Sequence, residues 1–276
     1  MKTGPALGAS GPHLLRDAVA YGLTDIGPVR SNNEDNFLID DGLDLLAVAD
    51  GMGGHTAGAF ASAAALDALR ECLAAGMAAP APPLDLLAAD PDATLADPTM
   101  PALALLHDAV AYANRRLFQH NQAREQADGT GMGTTLTGCW RPLAGGPLLV
   151  FHVGDSRLYR YRGGELTLLT RDQTWYQQAL ESGKVDDLPA RNMLLQAVGP
   201  APHVKPEIRL QAVQAGDVLM LCSDGLHGSV PYRDLVDVLH ATSAQTLETD
   251  CCRLIALAYD YGARDNVTVL LALCRA

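Results

Sequence analysis

Four apolar, strand-like runs in this sequence have an aspartate at one end, and this repeated arrangement constrains the fold more than any other feature. The run LDLLAVA leads into Asp50 and a glycine, and the run DVLMLCS leads into Asp224 and another glycine. The run LLVFHVG ends at Asp155, whereas Asp265 precedes the run VTVLLAL. Taken alone, each case predicts only a turn. Together they predict a shared site, because neighbouring antiparallel strands bring opposite strand ends to one edge of a sheet.

Two more acids and an arginine are expected at the same edge. Glu34 and Asp35 come just before another strand-like run, and Arg30 lies five residues before Asp35. The planar guanidinium of an arginine pairs well with two oxygens of a phosphoryl group. A single arginine is more typical of a surface ion pair, so the assignment of Arg30 to this edge depends on the acids around it.

The donor atoms offered at this edge are carboxylate oxygens, with no histidine or cysteine near them at metal-ligand spacing. Such hard donors favour Mg²⁺ or Mn²⁺ over Zn²⁺. Clustered carboxylates repel one another unless a cation neutralises them. Two divalent ions roughly 3.5 to 4 Å apart would do so, and would acidify a bridging water that could attack phosphorus. Gly51 has no Cβ, so its peptide carbonyl can turn toward such an ion.

The predicted elements favour an α+β fold, a layered α-β-β-α sandwich in which two packed antiparallel β-sheets are flanked by helix pairs. Helices are predicted over residues 57–75, 102–126 and within 232–260. Strands are predicted over residues 18–25, 36–40, 43–49, 134–140, 147–153, 157–162 and 165–170, before Asp224, and at the end of the chain. A parallel Rossmann sheet fits less well, because helices and strands do not alternate and no GxGxxG follows a strand.

We expect one domain over residues 18–276. Residues 1–17 are rich in glycine, proline and small side chains and are expected to form a loose leader. Residues 76–101 contain several prolines and predict a surface loop. Residues 171–199 show no regular period.

Charge and cysteine content exclude several classes of protein. With a net charge of −12, the chain has no basic stripe that could neutralise a nucleic-acid backbone. The six cysteines form no CxxC pair or regular framework and are expected to be reduced. We find no signal-peptide pattern and no apolar run of membrane-spanning length. These features predict a soluble, cytoplasmic protein, and we expect it to be a monomer.

Six segments, in this order, resemble the motif series of the metal-dependent serine/threonine protein phosphatases of type 2C in their bacterial form. They are VRSNNED, VADGMGGHTAG, GMGTTLT, HVGDSRLYRYRGGEL, LCSDGL and RDNVTV. The resemblance runs from about residue 21 to residue 273. It implies a double β-sandwich, a binuclear Mn²⁺ or Mg²⁺ centre, and hydrolysis of phosphoserine and phosphothreonine in protein substrates. It also implies a signalling role in which the enzyme opposes a bacterial Ser/Thr kinase.

The resemblance further implies roles for individual residues. Asp50 would bridge the two metals, and Gly51 would offer its carbonyl to one of them. Asp224 and Asp265 would hold the other metal. A third, weaker ion would be bound by Asp155 with help from Asp224.

The remaining positions would surround the metal pair or meet the substrate. Glu34 and Asp35 would lie in the shell around the two ions, and Arg30 would clamp the phosphate. In the family, the segment that corresponds to residues 171–199 is a mobile flap beside the active site. Trp175 and Tyr176 in this segment would contact the substrate chain.

The sequence departs from the family pattern at several places. Met52 stands where animal members have a candidate general acid, and we expect His55 to fix the glycine turn instead of acting as that acid. Ala59 and Phe60 stand where relatives usually carry an acid before Ala-Ser, and Gln173 stands where a histidine is common. These changes affect the rim and leave the predicted ligands in place.

Two other functions remain open at this point. A catalytically degenerate phosphatase-fold binding module would lack metal-binding aspartates, and none is missing. A metal-dependent nuclease or nucleotide hydrolase could use a similar acidic cluster, although the acidic composition and the ordered motifs argue against it.

Overall fold

The computed structural model describes residues 11–54, 56–79, 99–125 and 129–275. The strands are β1 (His13–Leu14), β2 (Ala18–Asp25), β3 (Asp35–Asp40), β4 (Leu45–Met52), β5 (Gly133–Thr134), β6 (Leu136–Trp140), β7 (Leu148–Val153), β8 (Arg157–Arg162), β9 (Glu165–Leu168), β10 (Glu207–Gln211), β11 (Val218–Cys222) and β12 (Val267–Cys274). The helices are α1 (Thr56–Ala78), α2 (Thr99–Gln122), α3 (Trp175–Glu181), α4 (Asp224–His227), α5 (Tyr232–His240) and α6 (Leu247–Asp260).

Two antiparallel sheets form the centre of the molecule. The first sheet has the strand order β1-β2-β12-β11-β8-β9. The second has the order β10-β7-β6-β4-β3, with β5 paired to β4. Helices α1 and α2 pack together over the second sheet, and α6 packs on β2 and β12 of the first. The predicted α-β-β-α sandwich is confirmed.

Strand β11 shows how alternating side chains build this layered fold. Val218, Met220 and Cys222 belong to the core between the first sheet and helices α5 and α6. Leu219 and Leu221 belong to the core between the two sheets. Because successive side chains of a strand point to opposite faces, a strand buried on both faces must be apolar throughout.

The helix predicted over residues 102–126 is found as α2, and it has one apolar stripe. Leu106, Val110, Ala113 and Leu117 are buried in the core that α1 and α2 form on the second sheet. The two helices are longer than predicted on the side of their connection, since α1 continues to residue 78 and α2 begins at residue 99. The predicted surface loop is therefore shorter than 76–101, and its residues 80–98 lie outside the described residues.

The last residues of the expected loose leader, 13–17, are part of the folded domain in the structure. Residues 1–10 lie outside the described residues, but β1 pairs with β2, so that His13 is opposite Ala20. Leu15 is buried between the sheets, and Asp17 pairs with Arg141 at 2.7 Å. Strand pairing and this ion pair therefore attach residues 13–17 to the sandwich. None of the helices in the described ranges is long and apolar enough to cross a membrane.

Candidate metal centre

The strand register of the second sheet brings the first two acids together. Asp35, the first residue of β3, is directly opposite Asp50 near the end of β4. Side chains at directly opposed positions of antiparallel strands lie on the same face and close together. The two carboxylates are therefore neighbours.

The first sheet brings three more acids to its own edge. Cys222, the last residue of β11, is opposite Arg157, the first residue of β8. Asp224 follows β11 and Asp155 precedes β8, so both lie just beyond this pair. Strand β12 runs antiparallel to β11 on its other side and begins two residues after Asp265. The predicted convergence of strand ends is found in the structure.

A cavity of about 900 Å³ lies where these strand ends meet. Five acidic residues line it, namely Glu34, Asp50, Asp155, Asp224 and Asp265. Arg30 and the backbone of Gly51 line it as well. Of the predicted metal-shell residues, only Asp35 is outside this lining.

Asp35 is buried, with 4% of its surface exposed. Its Oδ2 accepts hydrogen bonds from Ser223 Oγ at 2.6 Å and from Thr268 Oγ1 at 2.7 Å. Burial raises the pKa of Asp35 to about 7, although the two hydroxyl donors oppose the rise. These bonds hold the carboxylate in place, so Asp35 supports the site from below the cavity surface.

Asp50 has a fixed backbone and an unfavourably placed charge. Its N–H donates to Thr135 Oγ1 at 2.9 Å, and its carbonyl accepts from Thr134 Oγ1 at 2.9 Å. Burial raises the pKa of Asp50 well above its usual range, and the charges of Asp35 and Asp224 raise it further. An ionised Asp50 in this position requires a compensating cation.

Asp224 and Asp155 are in a similar environment. Burial raises the pKa of Asp224 to about 6, Asp265 adds to the rise, and Arg30 opposes it. Burial and the charge of Asp224 raise the pKa of Asp155 to about 7. Asp224 Oδ1 is buried and has no hydrogen-bond partner among the described residues. A buried carboxylate oxygen without a partner is unfavourable unless a ligand satisfies it.

Arg30 and Asp265 are joined by a salt bridge of 2.5 Å. Asn266 holds the two segments that carry them together. Its Nδ2 donates to two backbone carbonyls that flank Arg30, at 2.8 and 2.9 Å, and its Oδ1 accepts from Glu34 N at 2.8 Å. The sequence motif RDNVTV contains Asn266, but its positioning role became apparent only from these contacts.

Glu34 is held where helix α1 begins. Its carbonyl accepts hydrogen bonds from Gly51 N at 3.2 Å and from Ser62 Oγ at 2.6 Å. A Cβ on Gly58 would lie 2.1 Å from Glu34 Oε2. A larger residue at position 58 would force the Glu34 carboxylate to move, so glycine lets the first turn of α1 approach it closely. Gly58 and Ser62 were not identified from the sequence, where they look like ordinary small residues of an alanine-rich helix.

The residues present fit divalent cations of the hard, oxygen-binding kind. The donors are carboxylate and peptide oxygens, and Asp224 Oδ1 has no hydrogen-bond partner among the described residues. Burial, and after it the charges of neighbouring acids, raises the pKa values of Asp50 and Asp155. Within the described ranges, no three His, Cys, Asp or Glu side chains are close enough to enclose an ion by themselves. Mg²⁺-type ions are commonly held by one or two carboxylates, with water in several coordination positions.

The predicted flap is partly ordered by regular structure. It contains α3, and isolated bridges pair Thr174 with Leu194 and Thr134 with Val198. The part of the flap that lines the cavity consists of Asn192 and residues 194–197.

Trp175 and Tyr176 lie on α3 and do not line the cavity. Trp175 is 50% exposed. The ring of Tyr176 stacks with Arg191, whose guanidinium carbon is 4.5 Å from the ring centroid. Their contact with substrate stays a prediction, and it concerns a surface outside the cavity.

The residues that depart from the family pattern differ in how far they are buried. Met52 lines the cavity, whereas Phe60 is exposed on α1 and packs on the ring of His120. Gln173 is buried, with 7% of its surface exposed. His55 lies outside the described residues.

Comparisons with known proteins agree with this geometry. The family described as Protein phosphatase 2C matches residues 29–256. The chain is similar to the serine/threonine protein phosphatase PstP of Mycobacterium tuberculosis strain H37Rv, with 37% identity over 90% of this chain and 43% of that protein. It spans less than half of that relative's length. A second relative, the serine/threonine phosphatase stp of Listeria welshimeri, is 33% identical over 90% of this chain and 92% of the relative.

A solved structure shows the same similarity in three dimensions. The catalytic domain of the serine/threonine protein phosphatase PstP, in complex with two manganese ions, superposes with a TM-score of 0.74 and 33% identity. The alignment covers 94% of this chain and 99% of that domain. Nearly all of the chain is therefore comparable with a manganese-binding catalytic domain.

Proposed function

The chain belongs to the protein phosphatase 2C family, and we propose that it hydrolyses phosphoserine and phosphothreonine in phosphorylated proteins. The observation that carries the proposal is the cavity in which five acidic residues and Arg30 lie together. A metal-dependent phosphoprotein phosphatase needs such a combination, because it must hold divalent cations and bind a doubly charged phosphoryl group.

Asp50 and Gly51 on one sheet, with Asp224 and Asp265 on the other, would hold two Mn²⁺ or Mg²⁺ ions. Asp50 has the central position, since the charges of acids from both sheets act on it. When bound, the ions would supply an acidified water as nucleophile and neutralise charge on the phosphoryl oxygens. Asp155, beside Asp224, would hold a third and weaker ion.

The chain's own residues would position the substrate. Arg30 uses one guanidinium nitrogen to bind Asp265, so other N–H groups of its planar fork remain to donate to phosphoryl oxygens. Asn266 holds the segments that carry Arg30 and Asp265 together, which keeps the phosphate clamp beside the metal ligands. Asp35 would act from beneath the cavity, by fixing Ser223 and Thr268 beside the ends of two strands.

We further propose that the enzyme opposes a Ser/Thr kinase and acts in the cytoplasm as a monomer. All six cysteines are free thiols in the structure, and four of them are buried. Free buried thiols fit a reducing compartment.

A substrate panel tests the proposed activity. The protein, supplied with Mn²⁺, is assayed for phosphate release from a phosphothreonine peptide, for nucleotide hydrolysis and for DNA cleavage. We expect release from the phosphopeptide alone. Hydrolysis confined to the nucleotide or to DNA would identify a different hydrolase, and peptide binding without turnover would identify a degenerate binding module.

A further inference from the structure

Among the described residues that line the cavity, one cationic side chain has no acidic partner. The chain contains only three lysines, at positions 2, 184 and 205. Of these, Lys205 lines the cavity beside His203. Arg30, the other strong cation of the lining, is paired with Asp265. Within the described part of the chain, the ammonium group of Lys205 makes no hydrogen bond or ion pair.

The backbone of Lys205 is held at a defined place relative to the acids. Strand β10 begins at Glu207, which is opposite His152 of β7. Continuing this antiparallel register by two residues would place Lys205 opposite Gly154, the neighbour of Asp155. The intervening Pro206 has no N–H and cannot donate to this ladder, and it also favours an extended backbone at Lys205.

Two glutamine side chains connect Lys205 to Gly154, where Pro206 cannot donate a backbone hydrogen bond to the ladder. Gln173 Oε1 accepts from Gly154 N at 2.9 Å and from Gln196 Nε2 at 2.9 Å. Gln196 in turn accepts from Lys205 N at 3.0 Å and donates to Lys205 O at 2.8 Å. The position of Lys205 is therefore fixed by amide groups, and its side chain is free to meet a ligand.

We propose that Lys205 is a specificity-determining residue, which binds a carboxylate or second phosphate on the substrate protein next to the phosphorylated residue. This inference rests on the proposed function. Because the chain has a net charge of −12, the protein as a whole repels an acidic substrate segment. A cation without an acidic partner attracts such a segment locally. Lys205 gives such a segment a favourable place in the same cavity as Arg30 and the metal-binding acids.

Pairs of phosphothreonine peptides test the inference. Each pair differs only in one aspartate or alanine, and the aspartate is moved stepwise along either side of the phosphothreonine. At one position we expect kcat/KM to be roughly fivefold higher for the aspartate peptide, which is the size of a single exposed ion pair. The preference should decrease as salt is added, because salt screens exposed charges.

Substitutions identify the residue responsible. Lys205→Met should abolish the preference, and Lys205→Glu should invert it in favour of a peptide with lysine at that position. Lys184→Met is the matched control, since Lys184 is an exposed flap lysine outside the cavity, and it should keep the preference. Thermal denaturation of each variant checks that the fold is retained, as expected for an exposed side chain.

The possible failures are distinguishable. Equal rates for wild type on every peptide pair would overturn the role of Lys205 while leaving phosphatase activity established. An equal loss on acidic, neutral and aryl phosphate substrates in Lys205→Met would also overturn it, because Lys205 would then bind the reacting phosphate itself. If wild type hydrolyses no peptide, the proposed function fails and this inference fails with it.

Discussion

Asp35 and Asp50 are opposite each other on two neighbouring strands, yet only Asp50 reaches the cavity. Asp35 is satisfied by two buried hydroxyl donors, and the side chain of Asp50 lies among other negative charges. The carboxylate of Asp35 is therefore stabilised by hydrogen bonds within the protein, whereas an ionised carboxylate at Asp50 requires a cation.

We predict that Asp50→Asn lowers phosphopeptide turnover in Mn²⁺ by several orders of magnitude and leaves the fold intact. Asparagine has nearly the same shape as aspartate but carries no charge. The substitution therefore removes the repulsion between Asp50 and the acids of both sheets. Without divalent ions, the melting temperature should therefore be unchanged or raised, and the increase caused by Mn²⁺ should become smaller. Asp67→Asn, on the exposed face of α1, is the control for the same chemical change. Wild-type turnover in Asp50→Asn would contradict the assignment.

A second prediction concerns the weaker ion. Asp155→Ala should keep two tightly bound metals but lose most activity on phosphopeptides and require more Mn²⁺. A site with few protein ligands keeps most of its waters and binds its ion weakly. Calorimetric metal titration beside steady-state kinetics measures both effects. Full activity at low Mn²⁺ would leave Asp155 as a turn residue only, and loss of the tight pair would mean that it binds one of the two main ions.

Gln173→Leu should destabilise the protein by about 1 to 3 kcal/mol, because it leaves the buried N–H of Gly154 without an acceptor. The substitution also separates Gln196 from the turn that carries Asp155. Chemical denaturation measures the change in the free energy of unfolding. Gln178→Leu changes an exposed glutamine of α3 and should have little effect. An equal, small effect of both substitutions would show that the hydrogen bonds of Gln173 contribute nothing net.

The pH dependence of stability should reveal His152. This ring is buried between Thr137 Oγ1 and the carbonyl of Arg171, and burial lowers its pKa to about 4. Its folded-state pKa is thus below the value near 6.5 of an unfolded histidine. As pH falls from about 6.5 toward 4, the unfolded chain takes up a proton that the folded protein does not, so the stability contributed by His152 is lost.

The measurement is the difference in unfolding free energy between wild type and His152→Asn. Because both proteins contain the same cavity acids, the opposing titration of those acids cancels in the difference. We expect the penalty of His152→Asn to be largest near pH 7 and to shrink toward pH 4. A penalty that is constant over this range would show that the ring titrates equally in both states.

The amino-acid sequence by itself determined the layers of the fold and the acids of the site. Runs such as VLMLC are short, apolar at every position and bounded by turn residues, as is typical of a strand with both faces buried. The aspartates at the ends of such runs had to meet at sheet edges once the strands were antiparallel. These conclusions depend on the local order of apolar and acidic residues, which can be read directly from short stretches of the sequence.

The tertiary structure decided the roles of residues that have no distinctive local pattern. Asn266, Gln196 and Lys205 look like ordinary polar loop residues in the sequence. Asn266 acquires its role by bonding to segments more than 230 positions away. Lys205 is connected to Gly154 through the side chains of Gln196 and Gln173. Trp175, expected to contact the substrate, lies on α3 outside the cavity, and that contact stays a prediction. Such contacts depend on how distant segments pack, and packing is a property of the whole chain that no short stretch of sequence encodes.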